Sequence, residues 1–235
     1  MRRPAAGEIR ILPLRGLPEI GAGADLGGLL GDAIEQVGGL EEGDVVVVAQ
    51  KAVSKAEGRV EWTDDYLAVV LREARRVRRR RGETVIAEKE HGFVCANAGV
   101  DRSNTPGEGW VVLLPRDPDA SAARLREALS ARFGVAPAVI VTDSFGRPWR
   151  QGTADVAIGV AGMRALVDLR GARDDRGYQL HATVVAVADE LAGAAELAMG
   201  QAGGIPAVIV RGYRVPAGDG PARELVMPAE RDLFL

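Results

Sequence analysis

Four consecutive valines, Val45–Val48, stand between Asp44 and the polar run that begins at Gln50. A continuous β-branched run without polar alternation reads as a strand buried on both faces, so the rest of the chain must cover it from two sides. Ala138–Val141 and Ala207–Val210 are runs of the same kind. Hydrophobic residues make up 47% of the chain and aromatics only 4%, so the cover must be built from Ala, Val, Leu and Ile.

The remaining segments alternate strand and helix signals. Glu8–Leu14 reads as an opening strand, and Asp25 caps a helix from Leu26 to about Val37, closed by Gly38-Gly39. The pattern over Asp64–Arg81 is the longest helical one, with Tyr66, Leu67, Val70, Leu71, Ala74 and Val77 as its apolar stripe. Thr84–Ala87 pairs with Gly92–Ala96, and Trp110–Leu114 is a further strand. Asp119 or Ser121 caps a helix over Ala122–Phe133 that ends at Gly134. Residues 154–169 fit both patterns. Gly177–Val187 reads as a strand, Ala188–Met199 as a helix, and Gly200–Pro206 as a loop before the last strand. Such a mixture without a clean βαβ repeat gives an α/β to α+β fold. Residues 1–235 form one unit, with a single core or two intimately packed subdomains, since no low-complexity linker divides them.

Several function classes are excluded or disfavoured. A net charge of −3 gives no general attraction to nucleic acid or anionic membrane. The seven arginines between Arg72 and Arg81 raise RNA binding as an alternative. A solvated helix terminus explains them more simply, because cations are favoured at helix C-termini. One cysteine, Cys95, excludes an internal disulfide, and with only two histidines a His/Cys zinc site is disfavoured. Met1-Arg-Arg-Pro leads into no apolar signal segment, and no apolar run is long enough to span a bilayer, so a soluble cytoplasmic protein is expected.

Chemistry concentrates in Val139-Ile-Val-Thr-Asp-Ser-Phe-Gly-Arg-Pro-Trp-Arg-Gln-Gly152. The apolar strand is expected to stop at Asp143-Ser144, leaving both side chains at its C-terminal edge; a plain polar turn is the alternative. Asp101 also follows an apolar strand and precedes a polar loop. Two carboxylates converging from different strands suit Mg²⁺ or Mn²⁺, with Ser144 and Gln201 as neutral oxygen ligands. No Walker or Rossmann glycine pattern is present, so anion binding falls to Lys51, Lys55 and the Gly200–Gly204 loop, where a helix cap is the competing reading. His91, His181 and Cys95 read as surface or core residues.

Together, Gly16–Ile20, Gly43–Arg59, Ala98–Asn104 and Val141–Gly152 resemble the coenzyme F-420:L-glutamate ligases. Val187–Glu190, Met199–Gln201, Val210–Gly212 and Asp232-Leu-Phe234 extend the likeness over nearly the whole chain in order. The resemblance implies the mixed-sheet fold of that family and a cytoplasmic homodimer. It also implies a GTP-dependent ligase that joins L-glutamate to F-420-0, or a dehydro form, and then adds further γ-linked glutamates, releasing GDP and phosphate. In this sequence it places Leu17, Pro18, Glu19, Ile20, Lys55 and Asn104 on GTP. Gln50 joins them, although relatives often carry serine there. Met199, Gly200, Gln201, Ala202, Gly203, Gly204, Ile205 and Pro206 would wrap the nucleotide. Asp101 and Asp143 would bind one divalent metal (Mg²⁺ or Mn²⁺), Ser144 and Gln201 a second, and K⁺ is an optional further cation. Some relatives carry a C-terminal flavin-binding reductase-like domain; the chain's end at Leu235 implies a stand-alone ligase. Arg147 and Arg150 are assigned on chemistry alone, outside the resemblance, as catalytic clamps for carboxylate or phosphodiester oxygens. The alternative of another class is a non-catalytic GTP-binding regulator.

Overall fold

The computed structural model describes residues 7–233; Met1-Arg-Arg-Pro, and Phe234 of the closing Asp-Leu-Phe, lie outside them. In chain order the elements are β1 (Arg10–Pro13), α1 (Leu26–Gln36), β2 (Val45–Ala49), α2 (Gln50–Ala56), β3 (Val60–Trp62) and α3 (Tyr66–Glu73). There follow β4 (Arg76–Arg81), β5 (Thr84–Glu88), β6 (Val94–Ala96), β7 (Trp110–Val112), α4 (Pro118–Phe133), β8 (Ala138–Gly146) and β9 (Thr153–Ala161). The chain closes with β10 (Val167–Asp168), β11 (Val184–Val185), α5 (Val187–Met199) and β12 (Ala207–Arg211). The fold is α+β with a mixed central sheet.

Five strands form that sheet in the order β1-β12-β2-β8-β9, and only β2 and β8 run parallel. Val45–Val48 are all 0% exposed, as the uninterrupted valine run requires. Each such burial stabilises by about 1.5–3 kcal/mol relative to exposure. Helix α4 packs on β8 and β9, and α5 packs on β9, β12 and β1. Strand β9 is an edge, yet two helix carboxylates take up its outward N–H groups: Asp189 accepts from Ala157 at 2.9 Å and Asp119 from Val160 at 2.8 Å. An edge capped in this way is closed to further strand addition.

Residues between α2 and α4 build a second, smaller core of Val69, Val70, Val85, Ala87, Ala98, Val100, Val111 and Leu113. It is framed by the antiparallel sheet β4-β5-β6 and the pair β3-β7. Glu73 ties its parts together, accepting from Arg59 at 3.0 Å and from the buried Lys89 at 2.7 Å.

Four sequence expectations are corrected. The helix expected over Asp64–Arg81 ends at Glu73, and Arg76–Arg81 is strand β4, paired to β5 through the turn at Gly82. Arginines three and four apart repel on a helix, whereas β5 needs an antiparallel partner for its backbone. Helix α4 begins one turn earlier than expected, capped by Asp117, whose carboxylate accepts from Ala120 N–H, with Pro118 where no intrahelical N–H is needed. Strand β8 does not stop at Asp143 but runs to Gly146, because β9 pairs with it to the end. Residues 177–187 are mostly irregular, with Asp174 accepting from the N–H groups of Arg176 and Tyr178; they pair only in pieces, Gln179 in a single bridge to Arg173 and Val184–Val185 with β10. The undecided stretch resolves as β9 over Thr153–Ala161.

Candidate active site

One edge of the central sheet collects the chain's functional segments. The parallel pairing of β2 and β8 ends there, at Ala49 and Thr142. Strand β12 starts at the same edge, where Ala49 N–H donates to Pro206 O at 2.8 Å and Leu14 N–H to Ala207 O at 2.9 Å. The loop after β1, the start of α2, the continuation of β8 and the loop after α5 therefore meet. Ligands of open mixed sheets bind at such strand ends.

Two adjoining lobes open there. One, of about 370 Å³, is lined by Leu17–Ile20, Gln50, Lys55, Asn104, Met199–Gln201 and Gly204–Pro206. Nearly all the expected nucleotide contacts are thus gathered in one concavity, although the sequence scatters them over almost 190 positions. Ala202 and Gly203 belong to the same loop but are exposed and do not line the lobe. The other lobe, of about 450 Å³, is lined by Tyr66, Glu83, Thr84, Cys95, Asn97, Asp101, Arg102 and Phe145, among others. Lys51, Asp143, Ser144 and Gln201 line both, so they form the shared wall.

That wall is electrostatically loaded. Lys51 Nζ pairs with Asp101 at 2.8 Å. Burial pushes the Asp101 carboxyl up, but the Lys51 contact and the Ser103 N–H outweigh it and hold the group below its usual range. Asp143 goes the other way. Burial, aided by the charges of Asp101 and Asp155, drives it to about 7 against the pull of Lys51 and the Ser144 N–H. Two carboxylates pushed in opposite directions at one site are a common mark of function. Cys95 is also in the lobe lining, but burial lifts its thiol to about 12, which suits a core residue and not a nucleophile.

Beside the pair runs a hydrogen-bonded chain. Ser144 Oγ donates to Asp155 Oδ1 at 2.5 Å, and Thr142 Oγ1 donates to the other oxygen at 3.1 Å. Gln201 Nε2 donates to Ser144 Oγ at 2.8 Å and to Glu196 Oε1 at 2.5 Å. Gln50 Oε1 accepts from Ser54 Oγ at 2.9 Å, leaving its buried Nε2 without a partner at the wall of the smaller lobe.

The donor set suits a hard cation: carboxylate, hydroxyl and amide oxygens, without an accessible thiolate or imidazole. Among the described residues no three His, Cys, Asp or Glu side chains form a ready cage. An ion bound by one or two carboxylates plus substrate phosphates, as Mg²⁺ is, needs none.

Sequence reasoning missed Asp155 and Glu196 as site residues. The register of β8 on β9 sets Asp155 opposite Ser144, and the last turn of α5 brings Glu196 beside Gln201. Neither signal is available before the hairpin and the helix end are fixed. Lys51, which the sequence offers as a phosphate ligand, has Asp101 as its partner. Arg147 and Arg150, expected as clamps, line neither lobe. They belong to the hairpin tip beyond β8, where Arg147 Nη2 donates to Gln151 O at 3.2 Å and Arg150 is exposed. Because β8 continues past Ser144, it carries them away from the wall.

Comparison with known proteins places the chain in a family. Residues 16–68 and 62–212 match a family model described as F420-0:Gamma-glutamyl ligase. The chain is 41% identical to a protein named coenzyme F420:L-glutamate ligase from Methanothermobacter thermautotrophicus, covering 96% of this chain and 98% of that one. It is 42% identical to the protein of the same name from Methanopyrus kandleri, over 96% and 97% of the two chains. For that of Methanocaldococcus jannaschii the identity is 40%, over 83% and 86%. These matches make the protein an enzyme of the ligase class. The chain belongs to the F-420-0:gamma-glutamyl ligase family.

Proposed function

We propose that this ligase joins L-glutamate to F-420-0, or a dehydro form, by an amide bond and then through γ-glutamyl linkages, with GTP as phosphoryl donor. The observation that carries the reading is the pair of lobes sharing one charged wall. A carboxylate is a poor electrophile, so the γ-phosphoryl group of GTP first transfers to the acceptor carboxylate, giving an acyl phosphate and GDP. The glutamate amine, once deprotonated, attacks that carbonyl and expels phosphate. Each half-reaction needs its partners held in line across a short distance, which a shared wall between a nucleotide lobe and an acceptor lobe supplies.

In this reading Lys55 and the Gly200–Pro206 loop hold the nucleotide, and the free Nε2 of Gln50 gives it a hydrogen bond. Asp101 and Asp143 hold one divalent cation (Mg²⁺ or Mn²⁺) and Ser144 and Gln201 a second, with K⁺ an optional addition. Bound there, such ions neutralise the phosphate oxygens during transfer. Asp155 and Glu196 orient Ser144 and Gln201 and supply the negative charge those neutral ligands lack. As a working assembly we take a homodimer.

The test is to incubate the protein with F-420-0, L-glutamate, GTP and Mn²⁺ and follow the acceptor by mass. Products heavier by one or more glutamyl residues, formed with GDP, are expected. GTP bound without product, whichever metal is supplied, would leave a nucleotide-binding regulator instead.

A further inference from the structure

On the ligase reading the larger lobe takes an amino acid with two carboxylates, yet carboxylates outnumber cations in its lining. Glu83, Asp101 and Asp143 are its carboxylates, and Lys51 and Arg102 its cations. Lys51 is committed to Asp101 at 2.8 Å. Arg102 has no ion pair among the described residues. It is instead held by an aromatic face, with its guanidinium carbon 3.6 Å from the centre of the Tyr66 ring. The ring is itself anchored, because Tyr66 Oη donates to Val100 O at 2.8 Å. Val100 and Arg102 flank Asp101, so the anchor, the guanidinium and the carboxylate paired to Lys51 of the wall share one short segment.

We propose that Arg102, positioned by Tyr66, binds a carboxylate of the incoming L-glutamate. This rests on the ligase reading above and names the cation that holds its amino-acid substrate. Stacking on an aromatic ring leaves the edge of a guanidinium free, and that edge matches a carboxylate with two parallel N–H donors. L-Glutamate carries two carboxylates on a small aliphatic skeleton and has little apolar surface to bury. Its binding therefore depends on a cation of this kind. Its α-carboxylate is also one carbon from the attacking amine, so a clamp next to Asp101 orients the nucleophile as well as retaining it.

Steady-state kinetics on Arg102→Gln, Arg102→Lys and Tyr66→Leu test the assignment. Arg102→Gln should raise KM for L-glutamate by about tenfold to a hundredfold, the range for losing a charge-assisted pair, and leave KM for GTP within about twofold. Arg102→Lys should recover only part of the loss, since an ammonium offers no fork. Tyr66→Leu should reproduce the glutamate defect in milder form. An unchanged KM for L-glutamate in Arg102→Gln overturns the proposal, as does a defect confined to the F-420-0 acceptor, which would assign Arg102 to that substrate's anionic oxygens. Calorimetric titration of L-glutamate into wild type and Arg102→Gln, with no nucleotide or acceptor present, decides the point without turnover. Weaker binding by the variant supports the clamp even if no ligation is seen, and equal binding refutes it.

Discussion

Asp143 sits at the shared wall with its carboxyl driven to about 7 by burial and by the neighbouring charges of Asp101 and Asp155. The consequence for stability has a definite sign. A carboxyl whose folded value lies above its unfolded one binds more protons in the native state. Metal-free protein should therefore lose stability as pH rises from about 4 to about 7 on account of this group. Asp143→Asn removes the penalty. Its thermal midpoint without metal should exceed that of wild type above pH 7, by about 2–4 °C for each kcal/mol recovered. The difference should fade towards pH 4, and a constant difference across that range would show that Asp143 does not titrate as described. The same substitution should abolish ligation, so stability and activity move in opposite directions, as at many functional sites. At this scale the sequence was partly legible. Asp101 and Asp143 could be singled out as carboxylates following apolar strands. Asp155, Glu196 and Arg102 could not, because a hairpin register, a helix end and an aromatic stack give them their places.

Buried strands and capped helices were the easiest elements to read. The valine run of β2, the Asp25 cap of α1, whose side chain accepts from Gly28 at 3.0 Å, and the left-handed Gly134 closing α4 follow from local chemistry. Elements defined by a partner were not so legible. Strand β4 carries an arginine run that reads as helix until β5 claims it, and the strand expected over 177–187 pairs only in pieces with residues 167–173. The edge of β9 supplies a prediction at this scale. Asp119 Oδ1 accepts from Val160 N–H and from Ala222 N–H, both at 2.8 Å, so Asp119→Ala strands two backbone donors. Urea unfolding should show a loss of about 2–4 kcal/mol, against about 0.5–2 kcal/mol for Asp117→Ala, which removes only a helix cap. Equal losses would mean that the β9 edge does not depend on Asp119.

On the scale of the whole molecule, the architecture explains why the candidate site arises here. The central sheet contributes Asp143 and Ser144 from β8, and the smaller core contributes Asp101 through its bridge to Val112. The two separately packed units thus meet at the wall, where Asp101 of the smaller core pairs with Lys51. Among the described residues no helix is long and apolar enough to cross a membrane. The arginines of β4 lie on the smaller sheet and line neither lobe, so they take no part in the chemistry proposed. What the sequence could not reveal at this scale was the convergence itself: residues 17 and 206 meet only because β1, β12 and β2 are neighbours in the sheet.

The central claim is that nucleotide and acceptor meet across one wall, so that phosphoryl transfer goes directly to the acceptor carboxylate. Preparing F-420-0 with heavy oxygen in that carboxylate and analysing the released phosphate by mass tests it. The account predicts one labelled oxygen in each phosphate released per amide formed. Unlabelled phosphate, with amide still produced, would contradict it.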